Sequence, residues 1–177
     1  MNITIREAKP EDVAALAKVN IASWQSTYRG LIADETLDGM TFDKYSDKWD
    51  RTLSTLEKHR NFCFVAENST KEIIGYSLCG KNRHEKFPFE AELFAIYLLK
   101  EYQGQGIGKK LFVRAVEELK ERGIPSLLLF VLASNTGSRK FYESFKPDFS
   151  SHETLVIDNA QYSEACYGWS DINTILG

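Results

Sequence analysis

Residues 103–110 read Gln103-Gly104-Gln105-Gly106-Ile107-Gly108-Lys109-Lys110. Three alternating glycines let the main chain turn sharply and leave its N–H groups uncovered by Cβ atoms. Ile107, Leu111, Phe112, Ala115, Val116 and Leu119 then recur at helical spacing, so the turn opens a helix. A helix start carries unsatisfied N–H donors and the positive end of the dipole, and both favour an anion. Lys109 and Lys110 add full charges. The chemistry this permits is the holding of a phosphate or diphosphate. Two nucleotide loops fit less well. A dinucleotide fingerprint needs its third glycine where Lys109 stands, and a Walker loop needs Gly at Gln103 and Ser or Thr at Lys110. A glycine-rich turn that merely packs is the bland alternative.

Trp24 and Tyr28 stand four residues apart, hence on one helix face. They form either an aromatic wall for a cation or part of the core. Asp34, Glu35 and Asp38 follow, either to attract a polyamine or as a solvated acidic loop. Tyr167–Trp169 reads as a strand end, with core packing its default role. His59, His84 and His152 lack ligand spacing, so no metal is expected. Cys63, Cys79 and Cys166 are far apart and form no Cys-x-x-Cys pair. Reduced, buried thiols in a cytoplasmic protein are expected.

The elements that must position these residues are legible from periodicity. Ile3–Glu7 alternates as a strand. Pro10, Glu11 and Asp12 open a helix carrying Val13, Leu16, Ala17, Asn20 and Trp24 on one face. A weaker helix covers about Thr41–Lys58. Phe62–Glu67 and Glu72–Lys81 form a hairpin around Asn68–Lys71. Glu90–Leu99 is a strand leading into the glycine turn. The helix Ile107–Arg122 stops at Gly123, before Pro125. Ser126–Leu132 is a nearly unbroken apolar strand. Asn135–Phe145 is a short helix ended by Pro147. Glu153–Asp158 and Gln161–Trp169 pair around Asn159-Ala160. The order predicts a mixed α/β sandwich on one sheet.

The chain has 177 residues, 43% hydrophobic and 12% aromatic, enough for the core of one domain spanning 1–177. A net charge of −3 argues against a nucleic-acid partner. The longest apolar run, Leu127–Ala133, falls far short of the roughly 20 residues of a membrane span, so no membrane partner is expected. The N-terminus shows no basic patch followed by an apolar stretch, and no secretion signal is read there.

Gln103–Gly108 matches Gln/Arg-x-x-Gly-x-Gly/Ala, between a strand and a helix. Asn135 follows the next strand, and Tyr142 follows Asn135 by seven residues. In these features the chain resembles the GNAT superfamily of acyl-CoA-dependent N-acetyltransferases. The resemblance is specific over Glu92–Tyr142 and holds in outline from Ile3 to Trp169. It implies a mixed, mainly antiparallel sheet of about seven strands flanked by about four helices. It further implies acetyl-CoA as cosubstrate. Gln103, Gly104, Gln105, Gly106, Ile107, Gly108 and Lys109 would hold the CoA pyrophosphate. Ile96, Tyr97 and Leu98 would pair their backbone with pantetheine, the Leu98 N–H facing the thioester carbonyl. Asn135 would bind pantetheine or cap its helix, Ser138 stands where the family often has Ala, and Tyr142 would face the sulfur. The loop after the first helix would wall the acceptor pocket.

That chemistry needs a base, because an alkyl amine with a pKa near about 10 is protonated at neutral pH. Glu92 is the candidate, since even spacing puts Glu92, Phe94, Ile96 and Leu98 on one strand face. Its alternative roles are an edge-of-strand charge or a salt bridge. Tyr142 is the candidate acid for the leaving thiolate, and a core tyrosine is its alternative. Two departures from the family pattern stand out. Lys100 replaces the usual Pro, and Tyr142-Glu143-Ser144-Phe145-Lys146-Pro147 lacks the usual Gly, so the helix exit is expected to differ. The expected activity is acetyl transfer to a small primary amine, polyamine-like by similarity of Glu92–Lys110 to bacterial polyamine acetyltransferases. Alternatives are a catalytically silent acyl-CoA-binding regulator and an acetyltransferase of protein N-termini or aminoglycosides. Exposed strand edges near the C-terminus allow a homodimer.

Overall fold

The computed structural model describes residues 2–177. Seven strands are hydrogen-bonded in the order β1-β2-β3-β4-β5-β7-β6. They are β1 (Thr4–Glu7), β2 (Phe62–Glu67), β3 (Ile73–Lys81), β4 (Ala91–Leu98), β5 (Leu127–Leu132), β6 (Phe149–Ile157) and β7 (Ala160–Trp169). The helices are α1 (Val13–Tyr28), α2 (Asp34–Asp38), α3 (Phe42–Ser54), α4 (Ile107–Glu121), α5 (Thr136–Glu143) and α6 (Asn173–Leu176). The mixed α/β sheet matches the expectation. The helices exceed the expected four: the acidic stretch read as a loop winds into the single turn of α2, and α6 adds another short turn at the end. Both are too short for periodicity to reveal.

Contacts divide the chain into two compact units. The first runs to Gly80 and adds Ala95–Ala115; the second is Lys81–Phe94 with Val116–Gly177. Strand β4 and helix α4 each contribute to both.

In the first unit, β1 and β3 pair antiparallel with β2. Asp12 anchors the start of α1. It accepts from the Lys9 N–H at 2.8 Å and from Arg6 Nη1 and Nη2 at 2.7 and 2.9 Å. Leu16, Ala17 and Val19 of α1 pack with Trp49 of α3 and with Cys63, Val65, Ile73 and Tyr76 of the sheet. Ala95, Tyr97 and Leu99 join this core, as alternation along β4 requires. The apolar stripe of α4 is buried as its periodicity predicts, with Leu111 and Phe112 fully covered. Each such side chain contributes roughly 1.5–3 kcal/mol.

In the second unit, β5 pairs parallel with β4 over Ala91–Leu93 and antiparallel with β7 over all six of its residues. Its Leu127, Leu128 and Leu129 are buried, as its unbroken apolar run predicts. The β6–β7 hairpin turns at Asp158 and Asn159, both at positive φ (47° and 67°). A strand residue cannot sit there, but Asp and Asn tolerate it. Phe87 and Phe89 from the segment before β4 pack on Leu128 and Cys166. A Cβ on Gly168 would lie 2.4 Å from the Phe89 ring, so only glycine fits beneath it.

Candidate active site

The glycine turn is built within the first unit. Gly104 and Gly106 take φ of +73° and +77°, the left-handed region. A Cβ at either would meet nothing within 4 Å. The turn is therefore strained for any other L-residue yet sterically open above its backbone. Gln103 donates from Nε2 to the Leu98 carbonyl at 3.0 Å, which ties the turn to the end of β4. Gln105 donates to the Glu101 carbonyl at 2.9 Å. Ile107 is buried and anchors the first turn of α4; Gly104, Gln105, Gly106 and Lys109 are exposed. The α4 ladder begins with Lys110 N–H to the Gly106 carbonyl at 3.2 Å, so the preceding N–H groups lie outside it. Exposed main-chain donors, a helix start and two lysines make a site suited to a diphosphate.

Gly75 shapes the neighbouring stretch of β4. A Cβ there would lie 2.8 Å from the Tyr97 carbonyl oxygen and 2.6 Å from Leu98 Cδ1. Its absence lets β4 run close to β3 through Tyr97–Leu98. Ile96 and Tyr97 are half-buried and Leu98 is buried.

Trp24 and Tyr28 meet edge to face, with ring centroids 4.9 Å apart. Tyr97 joins them at 6.1 and 6.3 Å. Its hydroxyl is hydrogen-bonded to that of Tyr28 at 2.9 Å. All three rings are half-buried, so the pair sits at the edge of the core rather than inside it. Alternation along β4 could have shown that the Tyr97 side chain faces away from Ile96 and Leu98. The sequence reading used only its backbone. Asp34 and Asp38 are bound to Arg29 at 3.1 and 2.8 Å, on the surface.

The second unit holds the titratable candidates. Glu92 is 2% exposed. Arg83 grips both of its oxygens, donating from Nε to Oε2 at 3.0 Å and from Nη2 to Oε1. The Arg83 main-chain N–H adds a bond at 3.2 Å. The guanidinium also lies 4.2 Å from the Phe94 ring centre, so Glu92 and Phe94 share a face as alternation predicts. His84 Nε2 stands 3.7 Å from Glu92 Oε1. Glu92 thus forms the salt bridge that was its alternative role, and Arg83 is a partner the sequence reading missed. The cluster Lys81, Arg83, His84, Lys86 just before an acidic strand was the available signal. Glu164 lies on β7 opposite Glu153 of β6. Burial, then the nearby Glu92 and Glu153 charges, push its carboxyl above the usual range.

Asn135 caps α5: its side chain accepts from the Ser138 N–H at 3.1 Å. This is one of the two roles expected of it. Tyr142 lies in the last turn of α5 and is 8% exposed, its ring 5.0 Å from that of Phe141. Arg139 donates to the Tyr167 hydroxyl at 3.1 Å, and that hydroxyl donates to Glu143. Burial and then the Glu143 acceptor push the Tyr167 phenol up. Trp169 is fully buried and donates to the Phe145 carbonyl at 2.9 Å. Tyr167 and Trp169 therefore brace the end of α5. The exit lacking glycine is made by Lys146 at φ +53°.

Comparison with known proteins agrees with the motif reading. Residues 24–146 match the acetyltransferase (GNAT) family. The uncharacterized N-acetyltransferase YuaI of Bacillus subtilis is 32% identical over 98% of this chain and 96% of its own. A spermidine N(1)-acetyltransferase of Thermoplasma acidophilum is 28% identical over 87% of this chain and 92% of its own. Among solved structures, the PaiA N-acetyltransferase of Thermoplasma acidophilum in complex with coenzyme A superposes with a TM-score of 0.72. It has 24% identity and covers 93% of this chain and 98% of that one. The backbone turn at Gly104–Gly108, the helix it opens and these similarities agree: the chain belongs to the GNAT acetyltransferase family.

Proposed function

We propose that the protein transfers an acetyl group from acetyl-CoA to a primary amine of a small, polyamine-like acceptor. The observation that carries this is the open, left-handed glycine turn at the head of α4. Backbone N–H groups of Gly104–Lys109 would hold the pyrophosphate, with Gln103 fixing the turn to β4. Ile96, Tyr97 and Leu98 would pair with pantetheine. Asn135, through its cap, and Ser138 would hold α5 in place. When bound, acetyl-CoA supplies a thioester that a neutral amine can attack directly.

The chain's own groups then have separable tasks. The Leu98 N–H would face the carbonyl oxygen as that oxygen gains charge, a contribution on the order of 3 kcal/mol. Tyr142 would give its hydroxyl proton to the departing sulfur. Glu92 would take the proton from the acceptor nitrogen. It would do so directly or through water, and Arg83, whose side chain is 63% exposed, would first swing off the carboxylate.

Trp24 and Tyr28 would wall the acceptor pocket. A polyamine acceptor is supported by the relative that acts on spermidine and by the acidic turn of α2 beside Tyr28. Free, buried Cys63, Cys79 and Cys166 fit a reducing cytoplasmic setting. The Arg83–Glu92 ion pair favours a second reading, a silent acyl-CoA-binding regulator. A panel of spermidine, amino acids, aminoglycosides and N-terminal peptides, read by thiol release from acetyl-CoA, separates the two. Transfer to spermidine is expected. Acetyl-CoA binding with no transfer to any amine would establish the regulator.

A further inference from the structure

Tyr167 of β7 is buried, and its hydroxyl makes both of its hydrogen bonds to α5. It accepts from Arg139 Nε at 3.1 Å and donates to the Glu143 carboxylate. Burial, then the Glu143 acceptor, hold the phenol above its usual range, so it remains a donor at neutral pH. Arg139 and Glu143 stand four residues apart, hence on one helix face and one turn apart. Their direct contact, at 3.3 Å between partly exposed side chains, is of the surface kind that contributes little alone. A single buried oxygen therefore ties two successive turns of α5 to the sheet. Arg139 is fixed further by a bond from Nη1 to the Ala133 carbonyl at 3.3 Å.

The strand is the stiffer partner. Strand β7 lies between β5 and β6, and Tyr167 stands opposite Leu129 on one side and Ser150 on the other. Helix α5 has eight residues, about two turns, too few to be stable in isolation. Its orientation is therefore set by what holds it. Asn135 caps its start, Tyr167 holds its body, and Trp169, on the same face of β7, donates to the Phe145 carbonyl just past its end. Tyr142 lies between Arg139 and Glu143 in sequence, within the turn that Tyr167 holds. A displacement of about 1 Å in a reacting group can lower a rate on the order of 100-fold.

We infer that Tyr167 is a positioning residue for the acetyl transfer: its hydroxyl, held by β7, sets the last turn of α5 and thereby the place of the Tyr142 hydroxyl. The inference rests on the proposed reaction and on Tyr142 as its acid, and it adds the residue that aims that acid. Tyr167 itself touches neither cosubstrate nor acceptor. Acting through Tyr142 has a specific consequence. Once the Tyr142 hydroxyl is gone, loss of the Tyr167 hydroxyl has nothing left to misplace, so the two effects on kcat do not multiply.

The test compares wild type, Tyr167→Phe, Tyr142→Phe and the double variant, with spermidine as acceptor. Tyr167→Phe keeps the ring that fills the core. It is expected to lower kcat at least fivefold while the spermidine KM and the acetyl-CoA affinity stay within twofold. Added to Tyr142→Phe, it should lower kcat less than twofold further. An unchanged kcat in the single variant, or equal losses in both backgrounds, would overturn the inference. If Tyr167→Phe does not fold, Glu143→Ala removes the acceptor at a partly exposed side chain. It should lower kcat at least threefold, and no loss there overturns the inference. If the wild type acetylates no amine, or Tyr142→Phe leaves kcat unchanged, the proposed reaction or its acid fails separately. Nuclear magnetic resonance of protein carrying 13C-labelled tyrosine rings then decides the brace, the Tyr142 signal being assigned by its loss in Tyr142→Phe. That signal is expected to move by more than its line width in Tyr167→Phe, while those of Tyr76 and Tyr102 in the first unit stay in place. A Tyr142 signal that does not move, or equal movement of all three, overturns it.

Discussion

Two turns of this chain place non-strand residues in left-handed backbone, and they solve the problem differently. At the head of α4, glycine occupies both positive-φ positions, 104 and 106. At the foot of α5, Lys146 occupies one at φ +53°. Conformation alone does not explain the contrast, since a lysine is evidently accommodated there at a cost of roughly 1–2 kcal/mol. The difference is what must lie above the backbone. Nothing of the protein lies within 4 Å of a Cβ at Gly104 or Gly106, so those glycines leave a surface open. The α5 exit has only to reverse the chain, and its carbonyls are used internally, Phe145 by the Trp169 indole. Glycine at the first turn leaves the backbone open, as the proposed grip on a diphosphate requires; its absence at the second leaves only a conformational cost.

The contrast is broken most severely by Gly106→Glu. Left-handed strain and a carboxylate facing a diphosphate should together lower acetyl-CoA affinity at least ~100-fold by calorimetry. Next comes Tyr142→Phe, which should lower kcat roughly 100-fold while acetyl-CoA affinity stays within twofold. An unchanged kcat removes Tyr142 as the acid. Glu92→Gln should lower kcat and shift the pH–rate profile, because a neutral amide cannot take the amine proton. A profile superimposable on wild type removes Glu92 from that role. Asn135→Ala should destabilise the protein by about 1 kcal/mol through the lost cap, read by urea unfolding. Smallest of all, Lys146→Gly should stabilise it by about 0.5 kcal/mol. Relief of the left-handed backbone there slightly outweighs the added freedom of the unfolded chain. No gain in stability at 146 would remove the conformational half of the comparison.

Much of this was legible in advance. The stripe from Ile107 to Leu119 announced α4, and the glycines with Gln103 announced the turn, because both are local and periodic. Alternation along β4 put Glu92 and Phe94 on one face. What stayed hidden depends on residues distant in sequence. Arg83 reaches Glu92 across an irregular segment with no period of its own. Tyr97 reaches Tyr28 from another element altogether. At the α5 exit the sequence showed only that the usual glycine is missing; that Lys146 takes the positive φ there came from the structure. Single-turn helices α2 and α6 fell below the length at which periodicity speaks.

The central claim is that the amides of Gly104, Gly106 and Gly108 grip the diphosphate of acetyl-CoA. Nuclear magnetic resonance of the 15N-labelled protein titrated with CoA addresses those amides one by one. The account predicts that these three resonances, with Ile107 and Lys109, move most and saturate together. Resonances of this turn that stay in place while others shift would contradict it.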